Sequence, residues 1–131
     1  IKTFVMFLFV SAIAVSASAQ KTVPEIDVKT LDGKSVNIQD YTNNGKITVL
    51  SFWATWCSPC KKELNAISDV YEQWQEDYDV QLVAVTIDNS RNLRKVKPMV
   101  DGFSWEYIVV SDVNEDLKKA LNLPKRLAMV L

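Results

Sequence analysis

The sequence predicts an α/β layered domain with a central, mostly parallel sheet and helices on both faces. Two observations carry that expectation. Lys46–Trp53 (KITVLSFW) and Val80–Ile87 (VQLVAVTI) are rich in β-branched and other apolar residues and almost uncharged, the composition of strands buried on both faces. Between them Leu64, Ile67, Val70/Tyr71 and Trp74 recur at helical spacing, with Glu63, Asp69, Glu72 and Glu76 on other faces. Strands alternating with amphipathic helices call for crossover connections within one sheet.

The first nineteen residues stand apart. Lys2 is their only charge, Phe4–Val15 is apolar apart from Ser11, and Ser16-Ala17-Ser18-Ala19 supplies small residues in an Ala-x-Ala pattern. This is the layout of a secretory signal peptide cut between Ala19 and Gln20, with residues 20–131 as the folded domain. The alternative is a retained membrane anchor, although the run is shorter than the roughly 20 residues of a spanning helix. No cysteine stands at the cut to carry a lipid. The expected location is therefore exported and periplasmic, or membrane-anchored if the segment stays.

Within the domain, Ile26–Thr30 and Ser35–Ile38 flank Leu31-Asp32-Gly33-Lys34, and Asp-Gly between apolar alternations predicts an N-terminal β-hairpin. Asn43-Asn44-Gly45 is the next turn, and Lys46–Trp53 the first core strand. A helix is expected from roughly Pro59 to Asp77 and a second core strand over Val80–Ile87. Asp88-Asn89-Ser90 can cap a further helix in which Leu93, Val96, Val100 and Phe103 keep the period. Pro98 should kink or shorten it. Trp105–Val110 reads as a third strand, Asp112–Leu121 as a short helix, and Leu127–Leu131 as the start of a fourth core strand. The chain opens at Ile1 and stops within the apolar run LAMVL, so a fragment is expected.

Charge narrows the function classes. Net charge is −1, and −2 once Lys2 is removed, which gives no electrostatic case for nucleic acid or a charged membrane surface. There is no histidine, the commonest metal ligand and acid–base group.

The two cysteines lie in Phe52–Leu64, FWATWCSPCKKEL. Two cysteines without histidine offer half of a usual zinc site. As a structural clasp the pair would be weak, because a cross-link over so short a loop restricts the unfolded chain very little. The third possibility is a reagent. A buried strand ends at Trp53 and a helix starts within Cys-Ser-Pro-Cys, where Pro59 suits the first helical position. Cys57 then sits at a helix N-terminus, whose unpaired amides and dipole favour thiolate. Its thiolate would attack a partner disulfide, and Cys60, one turn further in, would resolve the mixed disulfide. Lys61 and Lys62 either favour that thiolate or are solvated surface charges. Trp53 and Trp56 either pack the strand end or, for Trp56, form an apolar lip for a docked partner.

FWATWCSPC resembles the active site of the thioredoxin superfamily, and FWATWCSPCKKEL in particular resembles the exported TlpA/ResA-like thiol–disulfide oxidoreductases. The resemblance spans roughly Val23 to Ala120, including VPEIDVKTLDGKSVNI and VQLVAVTID, and Arg91–Val110 resembles an insertion that exported members carry. It implies a thioredoxin-like fold and a Cys57/Cys60 dithiol exchanging with disulfides of exported proteins. It favours a reductant, fed by a membrane thiol-electron carrier and supplying proteins such as apocytochrome c, with no cofactor and no metal.

Three departures from that family stand out. Its buried acid in the strand before the motif falls here on Ser51, a hydroxyl that is no carboxylate base, and Glu63 is the nearest acid in sequence. Its cis-proline facing the cysteines has one candidate, Pro124, which sits about three residues early, with Leu127 nearer the expected place. Its last strand and helix are missing, which would leave a sheet edge unpaired. The rival functions are a peroxiredoxin-like thiol peroxidase, for which Thr55 stands two residues ahead of Cys57 rather than three, and a non-catalytic exported binding module with an inert disulfide.

Overall fold

The computed structural model describes residues 22–123 and 128–130. The expected signal segment 1–19, Pro124 and Leu127 lie outside the described residues. β1 (Asp27–Thr30) and β2 (Ser35–Asn37) form the expected antiparallel hairpin. Gly33 holds φ +87 at its tip, a conformation glycine adopts without steric cost. The Thr30 N–H donates to the Lys34 carbonyl at 2.9 Å and the Lys34 N–H to the Thr30 hydroxyl at 3.0 Å, which closes the turn.

A short α1 (Gln39–Thr42) leads to β3 (Ile47–Trp53), which pairs in parallel with β4 (Val80–Thr86) along its whole length. β5 (Ile108–Ser111) continues the parallel centre beside β4. The flanks are antiparallel: β1 joins β5 on one side, and β6 (Ala128–Val130) joins β3 on the other. The order is β2-β1-β5-β4-β3-β6. The expected parallel character thus belongs to the three central strands, and the whole sheet is mixed. The crossover helices impose parallel pairing at the centre, whereas the tight hairpin imposes antiparallel pairing at the edge.

Alternation along the strands sorts their residues to two faces. Leu50 and Phe52 of β3, Val83 and Val85 of β4 and Val110 of β5 join Val28 and Ile38 with Leu117 and Leu121 in one core. Trp53, Leu82 and Ala84 face the other way and join Leu64, Tyr71, Val96, Val100, Trp105 and Tyr107. Each Val, Leu, Ile or Phe among them, fully buried, contributes roughly 1.5–3 kcal/mol.

Four boundaries differ from the sequence expectation. The long helix is two, α2 (Ser58–Ser68) and α3 (Tyr71–Tyr78). At the break Val70 takes φ −120, ψ 2, and its N–H donates to the Ile67 carbonyl at 3.0 Å. The break turns Tyr71 inward and leaves Val70 exposed, so the Tyr71 hydroxyl accepts the Leu82 N–H at 3.0 Å. Residues 93–95 make a 3-10 turn before α4 (Val96–Phe103). Pro98 therefore falls in the first turn of α4, where its missing N–H has no intrahelical partner to lose. The third strand starts at Ile108, because Trp105 and Tyr107 are anchored elsewhere: the Trp105 Nε1–H donates to Asn65 Oδ1 and the Tyr107 hydroxyl to the Leu64 carbonyl, both at 2.7 Å. Lastly α5 (Asp116–Ala120) begins later than Asp112, whose carboxylate accepts the Leu117 and Lys118 amides at 3.2 and 3.0 Å. None of the described helices is long and apolar enough to cross a membrane.

Candidate active site

β3 ends at Trp53, and the turn that follows delivers the cysteines to the start of α2. The Cys57 N–H donates to the Ala54 carbonyl at 3.0 Å, and the Cys57 carbonyl accepts the Lys61 N–H at 3.1 Å. Cys57 itself is the residue that caps the helix, with extended φ −93 and ψ 92. Pro59 occupies the second helical position, one later than expected, because Ser58 opens the helix. Its missing N–H still costs nothing there, since the first-turn amides have no partner within the helix. Cys57 and Cys60 are joined as a disulfide. Both are half-buried, so one face of the bond is open to a partner.

The turn is braced from behind by a residue with no role in the sequence-based reading of the site. Asp88 lies two residues beyond the end of β4 and is fully buried. Its carboxylate accepts the Thr55 N–H at 2.9 Å, the Thr55 hydroxyl at 2.7 Å and the Thr86 hydroxyl at 2.5 Å. Buried carboxylates persist where hydrogen bonds replace their hydration; the first two fix the residue two positions before Cys57, and the third ties the carboxylate to the end of β4. The helix-capping role expected around Asp88 belongs to Asn89, whose Oδ1 accepts the Arg91 and Asn92 amides at 3.1 and 3.2 Å.

A cavity of about 330 Å³ opens beside the disulfide. Among the described residues it is lined by Trp53, Ala54, Trp56, Cys57, Cys60, Ile87 and Lys118. Trp56 is 65% exposed and lines this cavity, which is the geometry of a lip rather than of a core residue. Trp53 is fully buried in the wall, and its Nε1–H has no hydrogen-bond partner among the described residues.

The other residues singled out from sequence sit further off. Ser51 is buried in mid-β3 opposite Ala84 and does not line the cavity. Glu63 is exposed on α2 and does not line it either. Lys61 is half-buried and Lys62 exposed, and neither reaches the lining. The cation that does is Lys118 of α5, which local sequence patterning had no means of placing beside the cysteines. Asp88 had a readable signal, an acid immediately after the uncharged run VQLVAVTI, where it is buried unless the chain turns sharply outward.

Comparison with known proteins agrees with this geometry. The AhpC/TSA family's sequence profile matches residues 19–130. The sporulation thiol-disulfide oxidoreductase A of Bacillus subtilis is 33% identical over 106 residues, covering 79% of this chain and 62% of that protein. The thiol-disulfide oxidoreductase ResA of Oceanobacillus iheyensis is 32% identical over 99 residues, covering 72% of this chain and 49% of its own length. The chain thus spans about half to three-fifths of these curated relatives. Among solved structures, an uncharacterized thioredoxin-like protein from Porphyromonas gingivalis superposes with a TM-score of 0.72 at 42% identity, over 83% of this chain and 72% of the other. StoA from Bacillus subtilis gives 0.63 at 27% identity, over 84% and 82%. The fold is thioredoxin-like.

Proposed function

The chain belongs to the AhpC/TSA family, and from that premise we propose that it is an exported thiol–disulfide oxidoreductase whose Cys57/Cys60 pair reduces disulfides of other exported proteins. One observation carries the proposal: the Cys57–Cys60 bond lies at the first turn of a helix, half-exposed, beside an apolar cavity with Trp56 at its rim. A structural cross-link needs no such opening. Residues 1–19 serve as the export signal, and the reducing equivalents come from a membrane thiol carrier. Apocytochrome c is one substrate of suitable chemistry.

In the reduced protein the helix N-terminus favours the Cys57 thiolate. That thiolate attacks one sulfur of the partner's disulfide, the partner's S–S bond breaks, and the leaving thiolate takes up a proton. Cys60 then loses its proton and attacks Cys57 Sγ. The mixed disulfide breaks, the partner leaves as a dithiol, and Cys57–Cys60 is oxidised. Two electrons pass to the partner. Neither Ser51 nor Glu63 lines the cavity, so the Cys60 proton passes to another group or to water.

Thr55 supports exchange with disulfides over reduction of peroxide. Its hydroxyl is buried and donates to Asp88, so it is committed to the brace rather than to an oxygen substrate at Cys57. The test is Cys60→Ser, exposed to exported proteins or to insulin. A mixed disulfide through Cys57, found by mass spectrometry, is expected. Attachment elsewhere, or rapid consumption of hydrogen peroxide by the reduced protein without disulfide exchange, would refute the assignment.

A further inference from the structure

The cavity beside the disulfide is apolar on every described side but one. Trp53, Ala54, Trp56 and Ile87 form its walls, and the single charged residue among the described lining is Lys118. The Lys118 side chain is 19% exposed, and its Nζ lies 2.9 Å from Glu115 Oε2 one turn earlier. Its backbone is fixed as well, because the Lys118 N–H donates to Asp112 Oδ2 at 3.0 Å and Leu117, beside it, is fully buried. The neighbouring Lys119 shows the contrast. It is exposed, and its ammonium donates to the Asn114 carbonyl at 2.8 Å, away from the cavity lining.

From this we infer that Lys118, set by Glu115, is a positioning residue that holds the Cys57 sulfur as thiolate in the reduced protein. This rests on the reading of Cys57 as the attacking cysteine. A cation favours a nearby anion, and low polarity between them strengthens the effect. Glu115 opposes it by neutralising part of the ammonium's charge. The pair therefore acts as a graded control: Lys118 stabilises the thiolate, and Glu115 limits by how much. Because stabilising the thiolate favours the dithiol over the disulfide, Lys118 shifts the reduction potential upward and Glu115 limits that shift.

The other charged groups around Cys57 are otherwise engaged. Asp88 behind the turn is held by Thr55 and Thr86, and Asp112 by the amides of α5. On α2, Lys61, Lys62 and Glu63 stay out of the described lining.

The experiment titrates the Cys57 thiolate by its ultraviolet absorbance in the reduced full chain, comparing Lys118→Gln, Lys118→Arg and Glu115→Gln. Lys118→Gln is expected to raise the midpoint by about half a unit to one unit, a roughly threefold to tenfold gain in proton affinity. Glu115→Gln is expected to lower it, and Lys118→Arg to stay near the wild-type value. A merely structural role for the pair predicts that Lys118→Gln and Glu115→Gln move the midpoint in the same direction. That result, or an unmoved midpoint, overturns the inference. An unmoved midpoint in a chain whose Cys60→Ser variant still traps partners through Cys57 would remove Lys118 alone. Loss of trapping would remove the function beneath it.

Discussion

The two faces of the sheet are built from different chemistry, and each holds one of the two sulfurs. One face is aliphatic: Val28, Ile38, Leu50, Val83, Val85, Val110, Leu117 and Leu121 pack there with Phe52, and Cys57 rests against them. The other is aromatic: Trp53, Tyr71, Trp105 and Tyr107 pack with Leu64, Leu82, Val96 and Val100, and Cys60 rests against those. Trp53 meets Trp105 edge-on at 4.9 Å between centroids, and Tyr71 meets Tyr107 edge-on at 4.8 Å. Three of these aromatics also carry hydrogen bonds, to Asn65, to the Leu64 carbonyl and from the Leu82 amide. Aliphatic packing is non-directional, whereas edge-on rings with bonded tips fix orientation. The difference teaches a division of labour. The Cys60 sulfur is anchored to the directional core, while the Cys57 sulfur sits on the adaptable one, and both residues line the cavity together with Lys118.

Removing a ring from the directional face should have the largest effect. Trp53→Ala deletes a fully buried indole that also walls the cavity, and should cost about 3–5 kcal/mol of stability by denaturant titration. Leu117→Ala on the adaptable face should cost about 3 kcal/mol. It should also carry α5, with Lys118, away from the cysteines, so hydrogen exchange should quicken in α5 before it does in α2. Equal quickening in both helices would break the comparison.

Tyr107→Phe is the smallest and most specific test. It removes one hydrogen bond, worth about 1 kcal/mol. Burial also holds the Tyr107 hydroxyl well above its ordinary tyrosine value. A raised folded value means that the folded state keeps its proton where the unfolded chain gives it up. Stability is therefore full below about pH 10 and falls as pH rises beyond it. The phenylalanine variant should lose that alkaline slope, and unfolding titrations from pH 8 to 11 would show it. An unchanged slope would place the alkaline sensitivity elsewhere.

Much of this was legible in sequence, for reasons particular residues make plain. Asp32-Gly33 between alternating strands required a hairpin, and Gly33 takes the positive φ that only glycine adopts freely. The uncharged runs at 47–53 and 80–86 had nowhere to go but the sheet centre. Cys-x-Pro-Cys after a buried strand put a sulfur on a helix start. The rest was decided by tertiary contact. The helix breaks at Val70 because Tyr71 reaches Leu82, and strand onset waits until Ile108 because Trp105 and Tyr107 bond to α2. Of the expected capping segment Asp88-Asn89-Ser90, Asn89 caps while Asp88 is a brace. Lys118 was one surface lysine among many until the fold carried α5 to the cysteines.

The central claim is that the Cys57–Cys60 bond is a working redox couple, and equilibration of the full chain with glutathione redox buffers tests it most directly. The account predicts that the dithiol and disulfide interconvert with a midpoint between about −270 and −120 mV. A bond that stays closed until the buffer falls below about −300 mV would mark it as an inert cross-link and contradict the account.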